Sequence, residues 1–89
     1  MIKGKTKSGF EFCINPDDLD DMRFIDALAS LEKNNIMAMS EVADFMFDEK
    51  QKKALYAHLA SLDEKGKVRI GAFTQEVVEI LTYTEDTKN

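Results

Sequence analysis

Residues 48–81, DEKQKKALYAHLASLDEKGKVRIGAFTQEVVEIL, constrain this chain more than any other stretch. Leu55, Leu59 and Leu62 recur at i, i+4 and i+7, which places them on one face of a helix. After a turn carrying Gly66, the residues Phe73, Val77 and Ile80 repeat that spacing, with Leu81 beside them. Each stripe is too apolar to stay in water, so the two helices are expected to close on each other across the turn. Asp48 begins the first of them, with Gln51 three residues on in the manner of a capping box. Gly66 suits the left-handed residue that ends a helix. Lys67-Val68-Arg69-Ile70 reads as a short extended segment with Val68 and Ile70 inward. The second helix is expected over 71–83 with Glu76 and Glu79 outward, followed by a flexible tail over 84–89 that lacks an apolar period.

The start of the chain has the other period. Phe10, Phe12 and Ile14 alternate with Glu11 and Cys13, the pattern of a strand with one buried face. Lys7-Ser8-Gly9 supplies a turn, and Ile2–Thr6 supplies a weakly apolar edge partner, so residues 2–14 read as a β-hairpin. A lone hairpin is marginal in water, and its aromatic face must dock on helices. Asn15-Pro16-Asp17-Asp18 then reads as an N-cap, a first-turn proline and two aspartates facing the positive end of a helix dipole. One helix is expected from there to about Lys33. Phe24, Leu28 and Leu31 form its stripe, and Leu19, Met22 and Ile25 extend the apolar arc round a second side. Asn34-Asn35 breaks it. Ser40 reads as the N-cap of a further short helix with Val42, Phe45 and Met46 on its inner face.

The fold class expected is therefore α+β and mostly helical: an N-terminal hairpin packed on about four helices, in one small domain over residues 1–83. No apolar run approaches the ~20 residues of a membrane helix, and no hydrophobic segment follows the cationic residues at the N-terminus. Cys13 is the single cysteine, which fits a reducing cytoplasm and reads as a small apolar strand residue. The net charge of −5 is unevenly spread, with Lys3, Lys5 and Lys7 near the start and Asp17, Asp18, Asp20, Asp21 and Asp26 after them. Three lysines without interleaved aromatics are a weak nucleic-acid footprint, and lysines that protect an edge strand are the plainer reading.

Candidate chemistry is sparse. His58 has no second histidine or cysteine at ligand spacing and is assigned neither metal nor catalysis. The 61–72 turn region misses a calcium loop, with Ser61 and Ala72 where carboxylates are needed. No phosphate loop or nucleophile elbow occurs, so an enzyme, a cofactor and catalytic residues are not expected. What remains is a soft cluster, Met37, Met39, Phe45, Met46 and Phe47. Such a cluster is either core or a partly exposed protein-binding surface, since methionine adapts to several partners.

A resemblance adds to this. The run Glu49-Lys50-Gln51-Lys52-Lys53-Ala54-Leu55-Tyr56, the turn Asp63-Glu64-Lys65-Gly66-Lys67-Val68 and the ending Glu76-Val77-Val78-Glu79-Ile80-Leu81 resemble tail assembly chaperones of long-tailed bacteriophages and prophages. Lys5-Thr6-Lys7-Ser8-Gly9-Phe10-Glu11-Phe12 and Leu19–Leu28 are similar to the same group, so the likeness touches most of the chain outside residues 32–47. It implies a non-catalytic protein of the bacterial host cytoplasm that binds the tape-measure protein during tail morphogenesis, shields its apolar helices and brings tail tube protein to it. Under that implication the five-residue cluster contributes to the client surface. Self-association is left open. The alternatives are a structural tail or head–tail junction component retained in the particle, or a small regulatory nucleic-acid-binding protein.

Overall fold

The hairpin is built from β1, Ile2–Lys5, and β2, Glu11–Ile14, paired antiparallel with Ile2 opposite Ile14 and Gly4 opposite Phe12. Its turn closes through Thr6 N–H to Phe10 O at 2.9 Å and Gly9 N–H to Thr6 O at 3.0 Å, with Gly9 at φ +102°. Phe10, Phe12 and Ile14 are buried on one face with Ile2 and Thr6, as the alternation predicts. Gly4 lies under the Phe12 ring: a Cβ there would come within 2.6 Å of Phe12 and 3.0 Å of Tyr83. Glycine is needed here so that an aromatic ring can fold across the strand.

Four helices follow, in a computed structural model that describes the backbone of residues 1–88 and the side chains of residues 1–84. They are α1, Met22–Glu32; α2, Ala38–Met46; α3, Glu49–Leu62; and α4, Ile70–Lys88. The protein is thus α+β and mostly helical, in the expected element order. α1 packs along α2 with the Phe24 and Phe45 rings 5.7 Å apart, and Tyr56 of α3 meets Phe73 of α4 edge-on at 5.5 Å. A single apolar core joins the hairpin face to Phe24, Val42, Met46, Leu55, Val77 and Ile80 among others.

Several expectations are corrected. The helix expected from Pro16 to Lys33 is two pieces, a 3-10 turn over Pro16–Leu19 and then α1. Two caps compete for the start. Asn15 Oδ1 accepts from Asp17 N–H at 3.1 Å, and Asp21 Oδ1 accepts from Arg23 N–H at 2.9 Å while Asp21 itself is extended. The Arg23 guanidinium and its backbone N–H hold the Asp21 carboxyl down at about 2. A depressed carboxyl stabilises fully above its ordinary range, so this cap persists until the pH falls toward that value. The break also rotates the second apolar side out of register: Leu19 is buried, but Met22 and Ile25 are exposed. Asn34 takes the left-handed conformation, φ 69°, that ends α1.

α2 begins at Ala38 without a side-chain cap, so Ser40 lies inside it, and its hydroxyl accepts instead from Lys52 Nζ at 3.2 Å. α4 begins at Ile70, which is exposed where an inward extended residue is expected. Its backbone stays helical to Lys88, beyond the expected end at Tyr83, and Thr84 continues the buried stripe with its hydroxyl donating to Ile80 O at 2.9 Å. A buried threonine is invisible to an apolar period. The side chains of the rest of the expected 84–89 tail, and Asn89 altogether, lie outside the described residues.

The hairpin is held at both edges. Asp48 caps α3 by accepting from Gln51 N–H at 2.7 Å, but the Gln51 side chain does not return to the cap as the box predicts. Its Oε1 accepts from Cys13 N–H at 2.6 Å and its Nε2 donates to Cys13 O at 2.9 Å. Cys13 faces outward from the ladder, because antiparallel pairs alternate and Lys3 opposite Cys13 is a non-bonded pair. At the other edge Tyr83 Oη donates to Lys3 O at 3.1 Å, and its ring meets Phe12 edge-on at 5.3 Å. α3 and α4 thus clasp one cross-strand pair from opposite sides. Gln51→Ala should lower the urea midpoint by an amount equivalent to about 1–3 kcal/mol, with the denaturant slope unchanged, because the partners of two strand groups are removed at once.

Candidate functional site

α4 carries two stripes. Phe73, Glu76, Val77, Ile80 and Thr84 face the core, while Ile70, Thr74 and Val78 follow one another at fourfold spacing along another side. That second line borders an open groove of about 810 Å³, whose opposite walls come from the end of α3, the hairpin turn and the α1–α2 connection. Ile36, Leu62, Ile70 and Val78 all line it, and each is more than half exposed. Leu62 is therefore not part of the buried leucine stripe, which ends at Leu59. The helix closes one residue later at Asp63, and the chain leaves before Leu62 can be covered. Gly66, at φ +69°, lies in the following turn, three residues past that cap rather than at the helix end itself.

Asp63 organises the turn at the mouth of the groove. Its Oδ2 accepts from Lys65 N–H at 3.1 Å and Lys67 N–H at 3.0 Å, and its Oδ1 accepts from Arg69 Nε at 2.9 Å. The Arg69 contact, with the two backbone donors, holds its carboxyl below the usual range. The carboxylate that would occupy a calcium-loop position is thus engaged in shaping the chain.

The hairpin turn meets α3 and α4 in a polar cluster. Lys7 N–H donates to Glu79 Oε2 at 2.8 Å, and the Ser8 hydroxyl contacts both Glu76 Oε1 and, at 3.0 Å, His58 Nε2. Glu76, expected outward, is only 5% exposed, and Glu79 is half-buried. Helical arithmetic contained this signal, since Glu76 falls three residues after Phe73 and four before Ile80. His58 packs against the Phe10 ring at 5.8 Å. Serine, histidine and glutamate together raise the question of nucleophilic catalysis, but the order of partners opposes a serine–histidine pair. A carboxylate only accepts, so Ser8 gives its one proton to Glu76, and its oxygen takes a proton from His58. With its proton turned to Glu76, Ser8 has none to give His58, so the serine–histidine contact is not set up as a nucleophile and its imidazole base. The cluster fastens the hairpin turn to two helices.

The five sequence candidates are not brought together at a surface. Met39, Met46 and Phe47 are buried in the core, Phe45 is half-buried against Phe24, and Met37 stands 83% exposed in the connection before α2. Their reading as one protein-binding patch is corrected to the core reading for the three buried residues. Composition marked the softness of the region correctly, but α2 turns its methionines inward. Among the described residues, no group of three or more His, Cys, Asp or Glu side chains could hold a metal ion, and no helix is long and apolar enough to cross a membrane. No protein-family model, curated protein or solved structure matches the chain.

Met46→Ala should destabilise the protein by about 2–5 kcal/mol through the cavity it leaves. Met37→Ser should change stability by less than about 0.5 kcal/mol, because it removes no packing. Thermal melts of the two variants check this pair directly.

Proposed function

We propose that the protein is a non-catalytic assembly factor that holds apolar, helix-forming segments of another protein in the groove between α3, α4 and the hairpin turn. The observation that carries this reading is the convergence of Ile36, Leu62, Ile70 and Val78, from three separate parts of the chain, on one open groove. Isolated exposed apolar residues are ordinary on a protein surface, but several around one concave space favour a partner. An amphipathic helix fits such a space because its apolar side chains repeat every three or four residues along one line. The resemblance noted for the Glu49–Tyr56, Asp63–Val68 and Glu76–Leu81 segments supports a tail assembly chaperone of a long-tailed phage or prophage, with the tape-measure protein as client. A tape-measure chain is long and helical, and its apolar faces need cover before the tail tube forms around it.

The double variant Leu62→Lys, Ile70→Lys tests the proposal. Both residues are exposed, so the melting temperature should stay within a few degrees of the parent while affinity for client falls at least tenfold, about 1.4 kcal/mol. The measurement is co-expression with the tape-measure protein of the same genome, followed by the yield of soluble complex. Full retention of client by the double variant would contradict the groove as the binding site. Finding the chain in purified, completed particles would contradict a chaperone and favour a retained structural component.

A further inference from the structure

The groove contains a group that its apolar walls do not require. Glu76 is 5% exposed and lines the space, with Ser8 donating to its Oε1. Its Oε2 is buried and has no hydrogen-bond partner among the described residues. None of the ion pairs among the described residues involves Glu76 or its neighbour Glu79, whose carboxylate takes a backbone N–H of the hairpin turn. Arg69, which also lines the groove, is already held by Asp63 at 2.9 Å. A glutamine at 76 would accept from Ser8 equally well, so the charge is surplus to the turn's attachment. A buried carboxylate oxygen left without a donor costs free energy, and that cost is recovered when a donor arrives. The terminal torsion of a glutamate is broad, so a cation in the groove is met by turning the carboxylate as a unit, its Ser8 contact loosening in exchange, without moving the helix.

These features define the complementary ligand. Apolar walls suit leucine-like side chains and the methylene stem of a long cation, and the unpaired carboxylate suits the cation itself. We propose that the groove selects an amphipathic helix carrying one lysine or arginine within its apolar face, the cation pairing with Glu76 while the flanking apolar residues cover Leu62, Ile70 and Val78. This rests on the docking role proposed above and specifies the chemistry of the client segment. The selection works against acidic helices where they approach Glu76 and Glu79, the cations of the same lining being Lys7 at the hairpin turn and the Arg69 held by Asp63.

Three synthetic peptides of about four helical turns test it, built from alanine, glutamine and a leucine face. They differ at one central position of that face, which holds lysine, norleucine or glutamate. Binding is read by fluorescence anisotropy. The lysine peptide should bind the parent protein at least about tenfold more tightly than the norleucine peptide, and the glutamate peptide should bind weakest. Glu76→Gln should reduce the lysine preference to about twofold or less while the norleucine peptide still binds. Glu41→Gln, which removes an exposed charge of α2 away from the groove, should leave the preference intact. Equal binding of the lysine and norleucine peptides by the parent, or a preference surviving Glu76→Gln, would overturn the inference and leave the docking role standing. Failure of every peptide to bind would overturn both.

Discussion

A two-stranded sheet has a difficulty that larger sheets share out among more strands. Both of its strands are edges, so its apolar face must be buried while the outward backbone groups of each strand still need partners. Here the face goes into the core through Phe10, Phe12 and Ile14. The edges are met by side chains from two different helices, Gln51 on Cys13 and Tyr83 on Lys3. Because Lys3 and Cys13 are cross-strand partners, the two contacts fix the hairpin at one level along its length. The helices are fixed in turn relative to each other. A primary amide is well suited to the β2 edge, since it offers one acceptor and one donor at the spacing of a strand's own N–H and C=O.

The groove follows from that arrangement. With its strands clasped between α3 and α4, the hairpin must place its turn against the same two helices further along. Lys7 and Ser8 reach Glu79, Glu76 and His58 there. The turn forms one wall, and α3 stops at Leu62 before it can fill the space, so Ile70 and Val78 stay open to solvent. The connection through Asp63, Gly66 and Arg69 keeps the mouth in shape by satisfying its own backbone. Concavity and exposed apolar surface at this place are consequences of how the hairpin is held, and the proposed docking role uses both.

Much of the architecture was legible because it depends on local periods. Alternation at Phe10–Ile14, the three- and fourfold spacing of Leu55–Leu59 and Phe73–Val77–Ile80, the cap at Asp48 and the helix stop at Asn34 all act within a few residues. What was not legible depends on partners far along the chain. Gln51 reads as a capping-box residue until Cys13, 38 positions away, takes its side chain. Glu76 reads as a solvent glutamate until the hairpin turn covers it. Leu62 and Ile70 satisfy their helical or strand patterns and are nevertheless left outside, because coverage depends on where a neighbouring element ends. The methionine cluster divides for the same reason, with Met39, Met46 and Phe47 buried and Met37 exposed: softness is a property of composition, whereas exposure is a property of packing. The division of the Pro16–Lys33 helix was visible in principle, since Asn15 and Asp21 are both good caps. Choosing between one helix and two needed the burial of Leu19.

The clasp is tested most directly by amide hydrogen exchange at Cys13 compared with Glu11. Both amides point away from β1 on the same outer edge of β2, so the ladder protects neither of them. A Cys13 amide that exchanges as slowly as the core amides of α3, beside a fast Glu11 amide, is the expected result. Equally fast exchange at the two positions would show that Gln51 does not hold the strand, and the hairpin would then need another explanation for its place in the fold.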